Sequence, residues 1–295
     1  MNLSSIIAET PTNAIIQDMC WDDYRAATAL NPSSIVCCDK SELHVSYALE
    51  GVDKDTPSLQ KGRALHCALL EPDRFADAYE PAESRRTAKV VAEAAERGVE
   101  LLLPADFDVI VQTALRASQC SDLQPFIRTG QAEVSVFTFE LGCQCKGRLD
   151  WISADPLAIL DVKTAREIDE RNFSRAFYRY HYDVKLGLYQ RWLQRLMGVA
   201  NIPVYLLLVE NSGPWDCAVV PRSGGSPTPI PDAILQRGAD KGLRWIERIK
   251  QCIESGEWPG QGDADEWAID VPAWEMDDEL DISSIVTDFG EDSDG

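Results

Sequence analysis

This chain is short of positive charge. It carries 28 Lys and Arg against 49 Asp and Glu, a formal net charge of −21, which taken whole argues against a phosphate-neutralising surface. The deficit is local, however. From Gln251 to Gly295 there are fifteen acids and no Lys or Arg, so the first 250 residues hold 34 acids and 28 bases, a balance of −6. The chain also lacks an apolar run of membrane-spanning length. Its opening, MNLSSIIAETPTNAIIQDMC, lacks the basic stretch that starts a secretory signal. A cytoplasmic chain with no membrane partner is the expectation. The nine cysteines, at 20, 37, 38, 67, 120, 143, 145, 217 and 252, show no C-x-x-C spacing. They form no four-ligand metal set and read as reduced, small hydrophobes.

What is present is concentrated in residues 146–165, KGRLDWISADPLAILDVKTA. Two apolar segments flank the turn signal Ala154-Asp155-Pro156, so an antiparallel hairpin is predicted. Asp150 ends the first segment, and Asp161 and Lys163 end the second. Two residues apart on a strand, Asp161 and Lys163 share a face. Carboxylates gathered at one sheet edge suit a hard divalent cation such as magnesium, and a lysine beside them can orient water or stabilise phosphate charge. D-x-K alone is a weak signal, since a solvated salt pair also matches it.

The ordered company of motifs carries more. QKGRALHCALLEPDRF (60–75), AEVSVF, KGRLDWI, AILDVKTA and the helix FYRYHYDVKLGLYQRWL together resemble RecE-type nucleases (exodeoxyribonuclease VIII-like) of phages and prophages, in the PD-(D/E)xK superfamily. LNPSSIVCCDKSELHVSYAL resembles that family's opening helix, and the likeness spans roughly residues 22–260. The resemblance implies a restriction-endonuclease-like α/β fold with a mixed central sheet flanked by helices. It implies a magnesium-dependent exonuclease on linear double-stranded DNA ends, manganese also serving, digesting 5′ to 3′ for single-strand annealing recombination. It further implies a ring-shaped homo-oligomer, a RecT-type annealing partner, and a bacterial or phage-infected cytoplasm. Some RecB-like relatives hold an iron–sulfur cluster on one early and three clustered late cysteines. Here Cys217 and Cys252 are single and far apart, so no cluster is expected. Two alternatives stay open: a RecB-like enzyme preferring single strands, and a catalytically silent protein that binds DNA ends or recruits a partner.

The resemblance implies His66 at the metal centre; Asp150 and Asp161 are read as its ligands, and Glu133 as a candidate outer ligand. Lys163 would act on water or the scissile phosphate. Each has a plainer reading: a core histidine for His66, an ion pair with Arg148 for Asp150, an exposed strand end for Glu133. Relatives carry a glutamine and, four residues on, a tyrosine in the following helix. The matching positions here are Lys185 and Tyr189, which share a helix face, with Gln190 one residue further. Lys185 and Tyr189 join the catalytic candidates. Arg171, Arg175, Arg179 and Tyr182, with Tyr178, Tyr180 and His181, form an aromatic-basic patch suited to DNA.

The element order reads as a loose arm (1–20), a short helix capped by Ser33 or Ser34, a helix at 58–71, and two helices within 83–119 broken by Gly98 and Pro104, with Asp106 a cap for the second. Strands follow at 133–139, 144–152 and 157–163. One long helix (172–198), strands at 203–210 and 215–220, a loop at 224–231 and a helix at 232–254 complete it. The nuclease domain is set at 21–260. Residues 261–295 read as a disordered acidic tail with interleaved Trp267, Trp274 and Phe289. It could dock a basic partner, mimic DNA, or simply solubilise.

Overall fold

A computed structural model describes residues 3–7, 12–51, 56–82 and 87–263. The chain divides into units of residues 1–259 and 260–295. In the second, the description covers residues 260–263, with a 3-10 turn at Gln261–Asp263. The acidic tail beyond lies outside the described residues.

In the first unit six strands make the central sheet: β1 (Ala14–Ile16), β2 (Gly130–Glu140), β3 (Cys143–Ala154), β4 (Leu157–Ala165), β5 (Val204–Glu210) and β6 (Cys217–Val220). They lie in that order across the sheet. Neighbours are antiparallel except β4 and β5, which are parallel. Five helices matter below: α1 (Pro57–Leu70), α2 (Pro104–Ser118), α3 (Glu170–Arg179), α4 (Tyr182–Met197) and α5 (Asp232–Ser255). A parallel pair needs a crossover, and α3 with α4 supplies it.

Period-two alternation sorts β4 and β5 onto two cores. Leu160, Val162, Leu207 and Val209 pack with Leu65 and Ala68 of α1 and Ile110 of α2. Ile159, Leu206 and Leu208 pack with Leu186, Leu188 and Trp192 of α4 and with Leu235 and Ile246 of α5. Helices α4 and α5 touch backbone to backbone. A Cβ on Gly187 would lie 2.2 Å from the Leu235 carbonyl oxygen, and one on Gly238 would lie 2.1 Å from that of Asp183, so side chains are excluded at both positions.

The predicted hairpin forms, but it is forked. β3 and β4 pair from Ala154↔Leu157 to Trp151↔Leu160. Past that point the Val162 N–H donates 2.8 Å to Asp150 Oδ2. A side-chain carboxylate thus takes the place of a ladder acceptor, and β4 continues its pairing with β5. The fork opens a gap between adjacent strands at the level of Asp150 and Asp161.

Several elements differ from expectation for local reasons. Within residues 1–20, Ile6 is fully buried and Ala14–Ile16 form the edge strand β1, in register with Ser135–Phe137. Asn31, not a serine, caps the helix Pro32–Ile35; Ser34 completes a reciprocal box from the third position, and Ser41 caps a separate helix, Glu42–Leu49. Pro104 starts α2, where its missing N–H costs nothing, and Asp106 pairs with Lys61 at 2.9 Å. The long helix is two, because His181 takes a left-handed conformation (φ 54°) between α3 and α4.

Candidate active site

Residues from both layers meet at the fork. From β3, Asp150 directs Oδ1 toward His66 Nδ1 of α1, 3.5 Å away. Across the sheet, Glu133 of β2 faces the same place. Donor atoms of His66, Glu133 and Asp150 all lie within 4.8 Å of one another. Glu133 reaches this position through a left-handed backbone (φ 53°) in mid-strand, between the pairs Ala132↔Trp151 and Val134↔Leu149. For a residue other than glycine that conformation costs on the order of 1–3 kcal/mol, so it is held by its surroundings. The hold is Arg148, whose Nε donates 2.6 Å to Glu133 Oε2 while Nη1 bonds Met19 O and Ser135 Oγ. Its guanidinium lies over the Trp21 and Tyr24 rings.

Asp161 and Lys163, on one face as their spacing requires, form a direct ion pair. Asp161 is 5% exposed, and its Oδ2 makes no hydrogen bond of ordinary angle beyond that pair. It stands outside the three-donor set among the described residues. Lys163 Nζ also sits 4.9 Å from the centre of the Tyr182 ring.

The charges explain one another. Burial is the largest influence on the Asp150 carboxyl and would raise it, but the charge and hydrogen bond of His66, the Lys163 ammonium and the Val162 N–H together lower it to about 2. Burial likewise pulls His66 down, and the charge and hydrogen bond of Asp150 carry it above its ordinary value. Burial, then Asp150, push Asp161 up against the pull of Lys163. Burial weighs most on Lys163 too, yet Asp161 and Asp150 hold its ammonium above the usual range. Glu133 is raised by burial and by Asp150, with Arg148 opposing. Three carboxylates thus crowd a half-buried fork, a surplus of negative charge that a divalent cation would relieve. The two carboxylates suit a hard divalent cation and the imidazole is a donor that transition metals favour, so the residues fit a divalent ion. Binding would take the proton from His66.

On the helical side, Tyr189 crosses β3 at Gly147. A Cβ there would lie 2.7 Å from Tyr189 Cε1, so the glycine of KGRLDWI makes room for the ring. Burial drives the Tyr189 hydroxyl well above its ordinary pKa, and Asp161, Asp150 and Glu133 add to the rise. Lys185 Nζ lies 5.7 Å from the Tyr182 ring centre, and burial, then Lys163, lower its pKa. Gln190 points elsewhere: its Nε2 bonds Ile202 O at 3.0 Å and Asp232 Oδ1 at 3.2 Å.

Arg171, Arg175 and Arg179 are exposed at four-residue spacing along α3 and make no ion pair among the described residues. His181 leaves the proposed patch. Its Nε2 lies 3.1 Å from Asp39 Oδ2, and its ring meets Trp245 edge-on. The plainer reading of Asp150, an ion pair with Arg148, is not met among the described residues, where Arg148 takes Glu133 instead. Sequence reasoning missed Arg148 and Gly147 as supports; the signal was their place within KGRLDWI, immediately before Asp150.

A family model described as a PDDEXK-like domain of unknown function (DUF3799) matches residues 32–268. A crystal structure from Eubacterium rectale, of a protein named as a candidate exonuclease, aligns with TM-score 0.60 at 15% identity, covering 92% of this chain and 100% of that one. At that identity the likeness bears on the fold, which is restriction-endonuclease-like: a mixed sheet between helical layers. A Vibrio cholerae protein aligns with TM-score 0.23 at 12% identity, over 82% of this chain and 58% of that chain, too low to carry an argument. No curated protein matches the chain. No helix among the described residues is long and apolar enough to cross a membrane.

Proposed function

The chain belongs to the PDDEXK-like family of unknown function (DUF3799), and from that premise we propose that it is a magnesium-dependent nuclease that resects linear double-stranded DNA from its ends. The observation that carries the reading is the convergence of His66, Glu133 and Asp150 beside the Asp161–Lys163 pair. Those three donors, with Asp161 beside them, would hold a magnesium ion, which would supply the positive charge that favours attack on a phosphodiester; manganese would suit the same ligands.

The chain's own groups do the rest. Lys163 is kept protonated by two carboxylates and so meets charge developing on the phosphate. Lys185, lacking a carboxylate partner among the described residues, contributes a second cation near Tyr182. Tyr189 presents a protonated hydroxyl to the acids. Arg171, Arg175, Arg179 and Tyr182 receive the DNA backbone. Digestion runs 5′ to 3′, feeding a RecT-type single-strand annealing protein in recombination, from a ring-shaped homo-oligomer in the bacterial or phage-infected cytoplasm. This finer reading rests on the motif resemblance.

A second reading has an observation of its own. Asp161 is engaged by Lys163 and lies outside the donor set, as a silent end-binding protein could tolerate. Incubating 5′- and 3′-labelled duplex with magnesium, manganese or EDTA separates the two. Metal-dependent shortening that Asp150→Ala and Asp161→Ala abolish supports the enzyme; intact DNA with tight end binding supports the silent reading. His66→Gln should lower cleavage more than melting temperature, and the reverse ranking would return His66 to the core.

A further inference from the structure

The connection between α3 and α4 does more than join two helices. Tyr182 opens α4 with two ammonium groups near its ring, Lys163 at 4.9 Å and Lys185 at 5.7 Å from its centre. The Tyr180 ring follows at 5.9 Å, and the Arg179 guanidinium lies 5.9 Å from Tyr180. This succession runs without a break from the half-buried Lys163 to solvent, where Tyr180 is 52% exposed. At that exposure much of the Tyr180 ring is open to a partner.

The bend that presents Tyr180 is built. His181 adopts a strained left-handed conformation, secured by Asp39 of the 3-10 turn Val36–Asp39 and by Trp245 of α5. Two of the three cations along the track are uncommitted: Arg179 and Lys185 make no ion pair among the described residues, whereas Lys163 is paired with Asp161. Rings alternating with cations are the surface on which successive unpaired bases stack while their phosphates are neutralised. A base pair within a duplex has both faces covered by its neighbours, so an exposed ring can accept a base only from a frayed or single-stranded end.

We propose that Tyr182 and Tyr180, with Arg179 and the two lysines, form a stacking track that takes an unpaired nucleic-acid end and leads it to the acidic fork. The proposal rests on the nuclease reading for what happens at the fork, but not for binding. It makes the substrate end a separated strand rather than a blunt duplex terminus.

The test is binding in EDTA, so that cleavage plays no part, read by fluorescence anisotropy. The probes are an oligothymidylate of about twenty nucleotides, a blunt duplex, and the same duplex with a short unpaired end; one stacked base is worth about tenfold in affinity. The wild-type protein should bind the oligothymidylate and the unpaired end about tenfold more tightly than the blunt duplex, and Tyr180→Ala should erase most of that preference, with blunt-duplex affinity changed less than about twofold. Tyr180→Trp should keep the preference, because it keeps a stacking face. The track is overturned if Tyr180→Ala leaves the preference intact, if the wild type shows none, or if the variant weakens all three probes equally. A parallel magnesium assay keeps the two ideas apart. Cleavage by a protein without the preference sinks the track and spares the nuclease, while a Tyr180-dependent preference in a protein that never cleaves supports the track and sinks the nuclease.

Discussion

Lys146 and Lys163 lie on neighbouring strands, β3 and β4, and both ammonium groups are withdrawn from solvent, but they are stabilised in opposite ways. Lys146, 4% exposed, donates to three backbone carbonyls, those of Ala27 (2.6 Å), Tyr24 (2.7 Å) and Arg25 (3.4 Å), with its charge 4.7 Å from the Tyr24 ring centre. It ends the helix Trp21–Ala26 and ties that segment to the sheet. It has no carboxylate partner among the described residues, and burial, helped by Arg25, lowers its pKa to about 8. Lys163 has Asp161 as a direct partner and Asp150 nearby, and its pKa is raised. Burial of a lysine therefore says nothing about its role. Carbonyls turn the ammonium into a structural clasp, whereas carboxylates at an opened hairpin hold it charged where a phosphate can arrive.

The comparison breaks most sharply at Lys163. Lys163→Met should cut metal-dependent DNA cleavage by about 10²–10³, the usual loss when one charge-stabilising donor is removed. It should also destabilise the fold, because Asp161 is left buried without its partner. The double variant Asp161→Asn/Lys163→Met should recover most of that stability and none of the activity. Melting temperatures and initial rates across the four proteins of the cycle measure this. A double variant no more stable than Lys163→Met would show that the pair is not the coupled unit the geometry describes.

At Lys146 the ranking should reverse. Lys146→Met abandons carbonyls that have no other donor among the described residues, and about 2–4 kcal/mol of stability should go with it, since an unsatisfied buried group costs roughly 1–3 kcal/mol. Urea midpoints would read this. Cleavage per folded molecule should stay near wild type, and a loss comparable to that of Lys163→Met would dissolve the distinction. A third lysine falls between the two. Lys185 is half-buried, near Tyr182, with no carboxylate partner among the described residues. Lys185→Gln should alter KM or turnover by about tenfold or less, one phosphate contact's worth, and leave melting unchanged.

Much of this arrangement was legible before any coordinates. The apolar run before Asp161, the turn at 154–156 and the two-residue step to Lys163 are local signals, and the hairpin and shared face follow from them. His66 stood out through its neighbours. What stayed hidden depends on contacts between distant segments. Arg148 had two carboxylates to choose from, Asp150 and Glu133, and strand pairing decided for Glu133. The fork needs the Asp150 side chain to capture the Val162 N–H, which no periodicity reports. The bend at His181 lies inside an unbroken helical pattern, because one left-handed residue leaves apolar spacing untouched. Ala14–Ile16 looked like an arm because a three-residue edge strand has too little alternation to announce itself.

The smallest expected effect sharpens the comparison through pH. In the folded chain Lys146 is held at about 8, against 10.5 for an ordinary lysine. Below that window both folded and unfolded chains carry the proton, and the cost of burying the charge is constant. Within it, the unfolded chain keeps a proton that the folded chain has released, so this residue makes stability rise with pH. Tyrosines and cysteines titrate in the same range with the opposite sign, as burial raises Tyr24 and Cys38, so the wild-type curve alone cannot isolate the lysine. The difference between wild type and Lys146→Met can, because those groups are common to both. Urea midpoints taken at intervals from neutral pH to just above 10 should show the wild type gaining on the variant through the window. If the difference is flat, the three carbonyls and the Tyr24 ring keep the ammonium charged throughout, and Lys146 would resemble Lys163 in charge state while differing from it in partners alone.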